Sequence, residues 1–112
     1  MLKKSYRIIK NKDFEIIFKK SGFLRNQLFL LRYKKNNLTN SRFGFVISAK
    51  VSKKAVDRNK IRRRASEIIR LNIDNIRSGF DIIFVIKKEA CGVEYSELEN
   101  NILNSLKERN LL

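Results

Sequence analysis

The sequence predicts a mixed α/β fold, one sheet with helices packed on it. Residues 27–35 and 42–50 alternate with the two-residue period of strands. Residues 55–77 carry apolar side chains at helical spacing, and residues 80–87 form a nearly unbroken apolar run, the pattern of a strand covered on both faces. At 112 residues the chain has the length of one domain, 1–112, with no linker or internal repeat.

The elements follow in order. Residues 1–10 are basic and poorly periodic, and read as a solvated, mobile arm or as an extra phosphate contact. Asn11 is placed to cap a helix over 12–20, with Asp13 and Glu15 in its first turn and Lys19 and Lys20 in its last, the polarity the helix dipole favours. Gly22 fits a left-handed stop. Phe14, Ile17 and Phe18 share a face; either both phenylalanines are core, or one is partly exposed in a groove. In strand 27–35, Phe29, Leu31 and Tyr33 point one way and Leu28, Leu30 and Arg32 the other, with Arg32 or Tyr33 reaching an edge. Residues 36–40 turn. In strand 42–50, Phe43, Phe45, Ile47 and Ala49 line one face, while Gly44, Val46 and Ser48 leave the other open to close approach. Part of 48–54 is a candidate for a further short strand or a bend.

On the helix over 55–77, Ile61, Ala65, Ile68, Ile69, Asn72 and Ile76 gather on one side, and Asn59, Lys60, Arg63, Glu67 and Arg70 on the other. Arg62 and Arg64 lie at the borders, and Arg58 falls near the apolar side. Ser78 and Gly79 end the helix. Residues 89–94 connect strand 80–87 to a last helix, with Cys91 a small buried or boundary hydrophobe. Ser96 caps that helix, and Leu98, Ile102 and Leu106 form its packing stripe. The expected core is Ile17, Leu28, Leu30, Phe45, Ile47, Ile61, Ala65, Ile68, Ile82, Phe84, Ile86, Leu98 and Ile102.

The charge balance points to a polyanionic partner. Twenty-six Lys and Arg face 11 Asp and Glu, a net charge of +15 that repels itself in the compact state unless something neutralises it. Nucleic acid is the first candidate and an anionic membrane the second. No apolar run reaches the length of a membrane span, and the N-terminus lacks a signal-peptide segment. One cysteine forms no internal disulfide, which fits a reducing cytosol. With no histidine, one cysteine and no adjacent glycines, no catalytic or metal-ligating set is assigned to the protein. If the chain takes part in catalysis, another molecule holds the reacting groups.

The charge is densest over residues 50–64, where eight of fifteen residues are basic: Lys50, Lys53, Lys54, Arg58, Lys60, Arg62, Arg63 and Arg64. Val51, Val56 and Ile61 are spaced through them, unlike a disordered tail. A purely solvated face would leave these like charges with only Asp57 to relieve them. A DNA-reading helix needs a helix-turn-helix neighbour or a dimerisation element, and the sequence offers neither. Cations at a helix N-terminus also run against the dipole, a placement that phosphate binding explains better than stability does. An RNA-binding face on an α/β module fits best.

Asp57-Arg58-Asn59-Lys60-Ile61-Arg62-Arg63 resembles the arginine-asparagine-arginine signature of the bacterial ribonuclease P protein family. Residues 10–22 are similar to that family's first helix, residues 43–50 to the strand before the signature, and residues 80–85 to its last strand. The resemblance implies an α-β-β-β-α-β-α sandwich with a left-handed βαβ crossover, like domain two of small-subunit ribosomal protein S5. It implies a cytoplasmic protein subunit, with no further protein partner required, that binds a catalytic RNA and the 5′ leader of precursor tRNA. Magnesium ions would be held mainly by the RNA and substrate, and the RNA would activate the attacking water. The signature helix would face the catalytic RNA through Arg58, Asn59, Lys60, Arg62 and Arg63, beside Lys50, Lys53, Lys54 and Arg64. A groove against the first helix would hold the leader through Phe14 and Phe18, with Arg32 or Tyr33 from the first strand. The family pattern is broken at Lys60, where lysine replaces the forked guanidinium, and at Ser66, where the family usually has arginine. The alternative is a ribosomal or ribosome-assembly RNA-binding protein on a similar fold.

Overall fold

Strand and helix form where the two periodicities fall, with one strand beyond those read from the pattern. The computed structural model describes residues 2–112; Met1, within the expected arm, lies outside the described residues. The order is α1 (Asn11–Lys19), β1 (Gly22–Arg25), β2 (Phe29–Lys35), β3 (Arg42–Val46), α2 (Ala55–Leu71), β4 (Phe80–Ile86) and α3 (Tyr95–Glu108). This is the α-β-β-β-α-β-α succession. The sheet runs β1-β2-β4-β3. β2 lies antiparallel to both β1 and β4, whereas β3 and β4 are parallel neighbours joined through α2.

The register sorts the side chains onto two faces. Phe29, Leu31, Phe43, Ile82 and Phe84 pack with Ile61, Ala65, Ile68, Leu98, Ile102 and Leu106 of α2 and α3 in one large core. Phe84 meets Phe29 edge-on at 5.2 Å and stacks with Phe45 at 5.6 Å. On the other face α1 crosses the sheet, and Ile17 joins Ile8 and Ile83 in a smaller cluster with Phe14, Val46 and Val85 against it. Two cross-sheet rows define this face: Phe23-Arg32-Ile83-Gly44 and Arg25-Leu30-Val85-Val46.

The expected core holds except at Leu30 and Phe45. Both are half-buried, and Phe29, Leu31 and Phe43 are the fully buried apolar side chains of their strands. Residues 28–31 are all apolar, so alternation there carries no parity signal, and Phe45 sits on the edge strand β3.

Several boundaries also differ. Asn11 and Ser96 lie inside their helices, where Lys10 and Glu94 hold the capping positions with no side-chain cap. Gly22 is no left-handed stop; it opens β1, and a Cβ there would lie 2.5 Å from the Tyr33 ring. Residues 48–54 turn and bend. α2 stops at Leu71, where Asn72 leaves helical geometry and its Nδ2 donates to the Ile68 carbonyl at 2.8 Å. Cys91 is exposed. Residues 2–10 are docked and do not stand off as an arm: Leu2 and Ile8 are buried, and the Ile8 amide donates to the Phe43 carbonyl at 2.9 Å on the outer edge of β3.

Candidate nucleic-acid interface

The first surface is the outer side of α2. Ile61, Ala65, Ile68 and Ile69 face inward and are buried, which fixes the opposite side outward. Lys50, Lys53, Lys54, Asn59, Lys60 and Arg63 are all exposed. The preceding loop is braced through Ser52. Its carbonyl accepts from Arg58 Nη1 at 2.6 Å, and its hydroxyl donates to Asp57 Oδ2 at 2.9 Å. Arg58, which the helical spacing places near the apolar side, therefore folds back onto the loop and is half-buried. Arg62 Nη1 donates to Asn59 Oδ1 at 3.0 Å, setting both on one turn of the exposed surface. Arg64, just past the signature, reaches the Val93 carbonyl through Nη1 at 3.3 Å, so it spans toward the loop before α3. Ser66 is buried.

The second surface is the sheet face that α1 only partly covers. α1 lies over the row Gly44-Ile83-Arg32. Phe14 rests on Gly44, where a Cβ would come within 2.8 Å of its ring, so glycine is what lets the helix approach β3. Phe18, 39% exposed, sits at the other end, with the Arg32 guanidinium 5.5 Å from its ring centroid. The next row, Leu30-Val85-Val46, is half-buried and forms the floor of an open groove beside α1. Arg32 faces this groove. Tyr33 points to the opposite face and packs against the main core and Gly22. The structure thus brings Phe14, Phe18 and Arg32 together and leaves Tyr33 out.

The two surfaces meet at β3. One cleft there is lined by Arg7, Phe14, Gly44, Phe45, Arg62 and Ser66, which puts an arginine of α2 beside the first aromatic of α1. Arg7 belongs to the N-terminal segment, read from the sequence as a solvated arm or as an extra phosphate contact.

α1 is held in place by Arg42. Its guanidinium grips Asp81 through Nε at 2.8 Å and Nη2 at 2.6 Å, and reaches Asp13 of α1 through Nη1 at 3.3 Å. The hydrogen bond to Asp81 raises the Arg42 pKa above its ordinary value, with burial opposing and the two carboxylates' charges adding. Sequence reasoning missed this anchor, because nothing local connects positions 13, 42 and 81.

Among the described residues no three His, Cys, Asp or Glu side chains lie together as a metal site. Asp13 and Asp81 are engaged by Arg42, so the acids near the groove do not fit a magnesium centre. No helix among the described residues is long and apolar enough to cross a membrane.

A family model described as Ribonuclease P matches residues 2–110. The chain is 36% identical over 106 residues to a ribonuclease P protein component of Alkaliphilus oremlandii, covering 95% of this chain and 92% of the relative. It is 35% identical over 108 residues to that of Clostridium kluyveri, covering 95% and 96%. Among solved structures it is similar to the ribonuclease P protein of Thermotoga maritima, with a TM-score of 0.84, 35% identity and coverage of 91% and 96%. It is also similar to that of Staphylococcus aureus, with a TM-score of 0.89, 31% identity and coverage of 96% and 98%.

Proposed function

Because this chain belongs to the ribonuclease P protein family, and so is the protein component of an endoribonuclease that processes tRNA, we propose how its two surfaces divide that work. The outer side of α2, with the loop before it, binds the ribonuclease P RNA through Lys50, Lys53, Lys54, Arg58, Asn59, Lys60, Arg62, Arg63 and Arg64. The groove beside α1 holds the single-stranded 5′ leader of precursor tRNA through Phe14, Phe18 and Arg32. Tyr33 is left out of this set because its ring lies on the other sheet face. The protein holds both RNAs in register, and the catalytic RNA with its magnesium ions carries out the hydrolysis in the cytoplasm.

The observation that carries this reading is the cleft at β3 that joins Arg62 to Phe14. Leader and catalytic RNA would be bound side by side, without a gap. An aromatic-lined groove suits a leader of varied sequence, since every base offers a face to stack on at about 1–3 kcal/mol each. The basic side chains around its apolar floor, Arg32 among them, neutralise phosphate irrespective of base.

Reconstitution tests the division of labour. Catalytic RNA alone is expected to cleave precursor tRNA only at elevated magnesium, the protein alone not at all, and the two together at low magnesium. Cleavage by the protein alone would overturn the assignment of chemistry to the RNA. Tight binding of ribosomal RNA with no gain in precursor cleavage would instead favour a ribosome-assembly role.

A further inference from the structure

The groove does not stop at Phe18. Phe23 of β1 stands next to Arg32 across the sheet, on the face that carries the groove. It is 52% exposed and belongs to neither hydrophobic cluster. A single exposed ring needs no reason of its own, but Phe18 and Phe23 are the two exposed phenylalanines among the described residues, and both lie on this side of the sheet. Arg25, two residues on and on the same face, places its guanidinium 5.8 Å from the Phe23 ring. A cavity here is lined by Lys19, Lys20, Phe23, Arg25, Leu30 and Arg32, with no acidic side chain. Arg32 is also short of partners. Its Nε is buried without a hydrogen bond among the described residues, and its Nη1 makes only long contacts, 3.4 Å to Ser21 Oγ and 3.5 Å to the Phe18 carbonyl.

The pattern repeats one step along the sheet. Phe18 lies under Arg32, and Phe23 lies under Arg25, each an aromatic face beside a cation. We infer that Phe23 and Arg25 form a second base-stacking and phosphate-binding step, which takes a leader nucleotide farther from the cleavage site than the one at Phe18. This rests on the proposed placement of the leader. Single-stranded RNA is the occupant that matches both the stacking faces and the uniformly positive lining.

The topology sets the order. β3, beside α2, lies at one edge of the sheet and β1 at the other, with β2 and β4 between. Three strand spacings, about 14 Å, separate the edges. A leader that enters beside Arg62 and Phe14 reaches Phe18 and Arg32 over β2, and only then Phe23 on β1. A short leader would end before it.

The test uses holoenzyme reconstituted with catalytic RNA, and two precursor tRNAs, one whose leader ends within the groove and one whose leader extends beyond it. Phe23→Ala is expected to weaken the long-leader substrate by about fivefold or more and leave the short-leader substrate unchanged, while Phe23→Trp retains wild-type affinity for both. Because Phe23 is half-exposed, thermal melts of all variants should coincide with wild type. Equal loss on both substrates, or no loss on either, overturns the inference. Phe18→Ala run alongside separates the two failures. If it weakens both precursors and Phe23→Ala neither, only the β1 step is wrong; if neither variant has an effect, the placement of the leader fails as well.

Discussion

Arg42→Ala is expected to lower the melting midpoint by roughly 10 °C, because it strands a buried carboxylate. Arg42 is the fork that Asp81 is buried against, and Asp81 is only 6% exposed. Without it, the Asp81 carboxylate keeps one side-chain partner, Asn36 Nδ2 at 2.9 Å. Removing one member of a fully buried pair costs about 3–5 kcal/mol; the Arg42 side chain is 22% exposed, so about 2–4 kcal/mol is the fitting range. Asp81→Asn in the Arg42→Ala background should recover part of the loss, since the uncompensated charge is then gone. Arg42→Lys should fall between, because a point charge cannot make the two-pronged contact. A midpoint for Arg42→Ala within a couple of degrees of wild type, by thermal circular dichroism, would contradict this account of the Arg42–Asp81 pair.

Arg62→Ala combined with Arg63→Ala should cut affinity for the ribonuclease P RNA by at least about tenfold at physiological salt. It should also flatten the dependence of log affinity on log salt by about 1.4–1.8, two phosphate contacts' worth. Both side chains are free for this role. Arg63 is exposed, and Arg62 has only Asn59 as a hydrogen-bond partner. Arg64→Ala should flatten the slope less, because that guanidinium is committed toward Val93. An unchanged slope in the double variant would remove phosphate binding from this side of α2.

What the sequence made legible follows from where its signals are strong. The signature stretch, the inward side of α2 and the buried β4 run are long and strongly patterned, and the structure places them as expected. β1 was illegible because four residues, Gly22–Arg25, are too few to show a period, and Gly22 next to a helix mimics a C-terminal stop. The choice between Arg32 and Tyr33 could not be made from alternation, because both faces of β2 are apolar; the β1 and β4 registers decide it. The Asp13–Arg42–Asp81 link joins three elements far apart in sequence, and pattern reasoning has no access to it. Val56, read as an anchor of the basic stretch, is 73% exposed, because the first turn of α2 projects past the sheet before Ile61 begins the packed face.

One protein surface is proposed to hold the leader and another the catalytic RNA. Equilibrium binding of precursor and mature tRNA to holoenzyme carrying Phe18→Ala tests this division most directly. Phe18 is exposed enough for its loss to spare the fold. Precursor binding is expected to weaken by about fivefold or more, with mature tRNA bound as by wild type; equal weakening of both tRNAs would contradict the division.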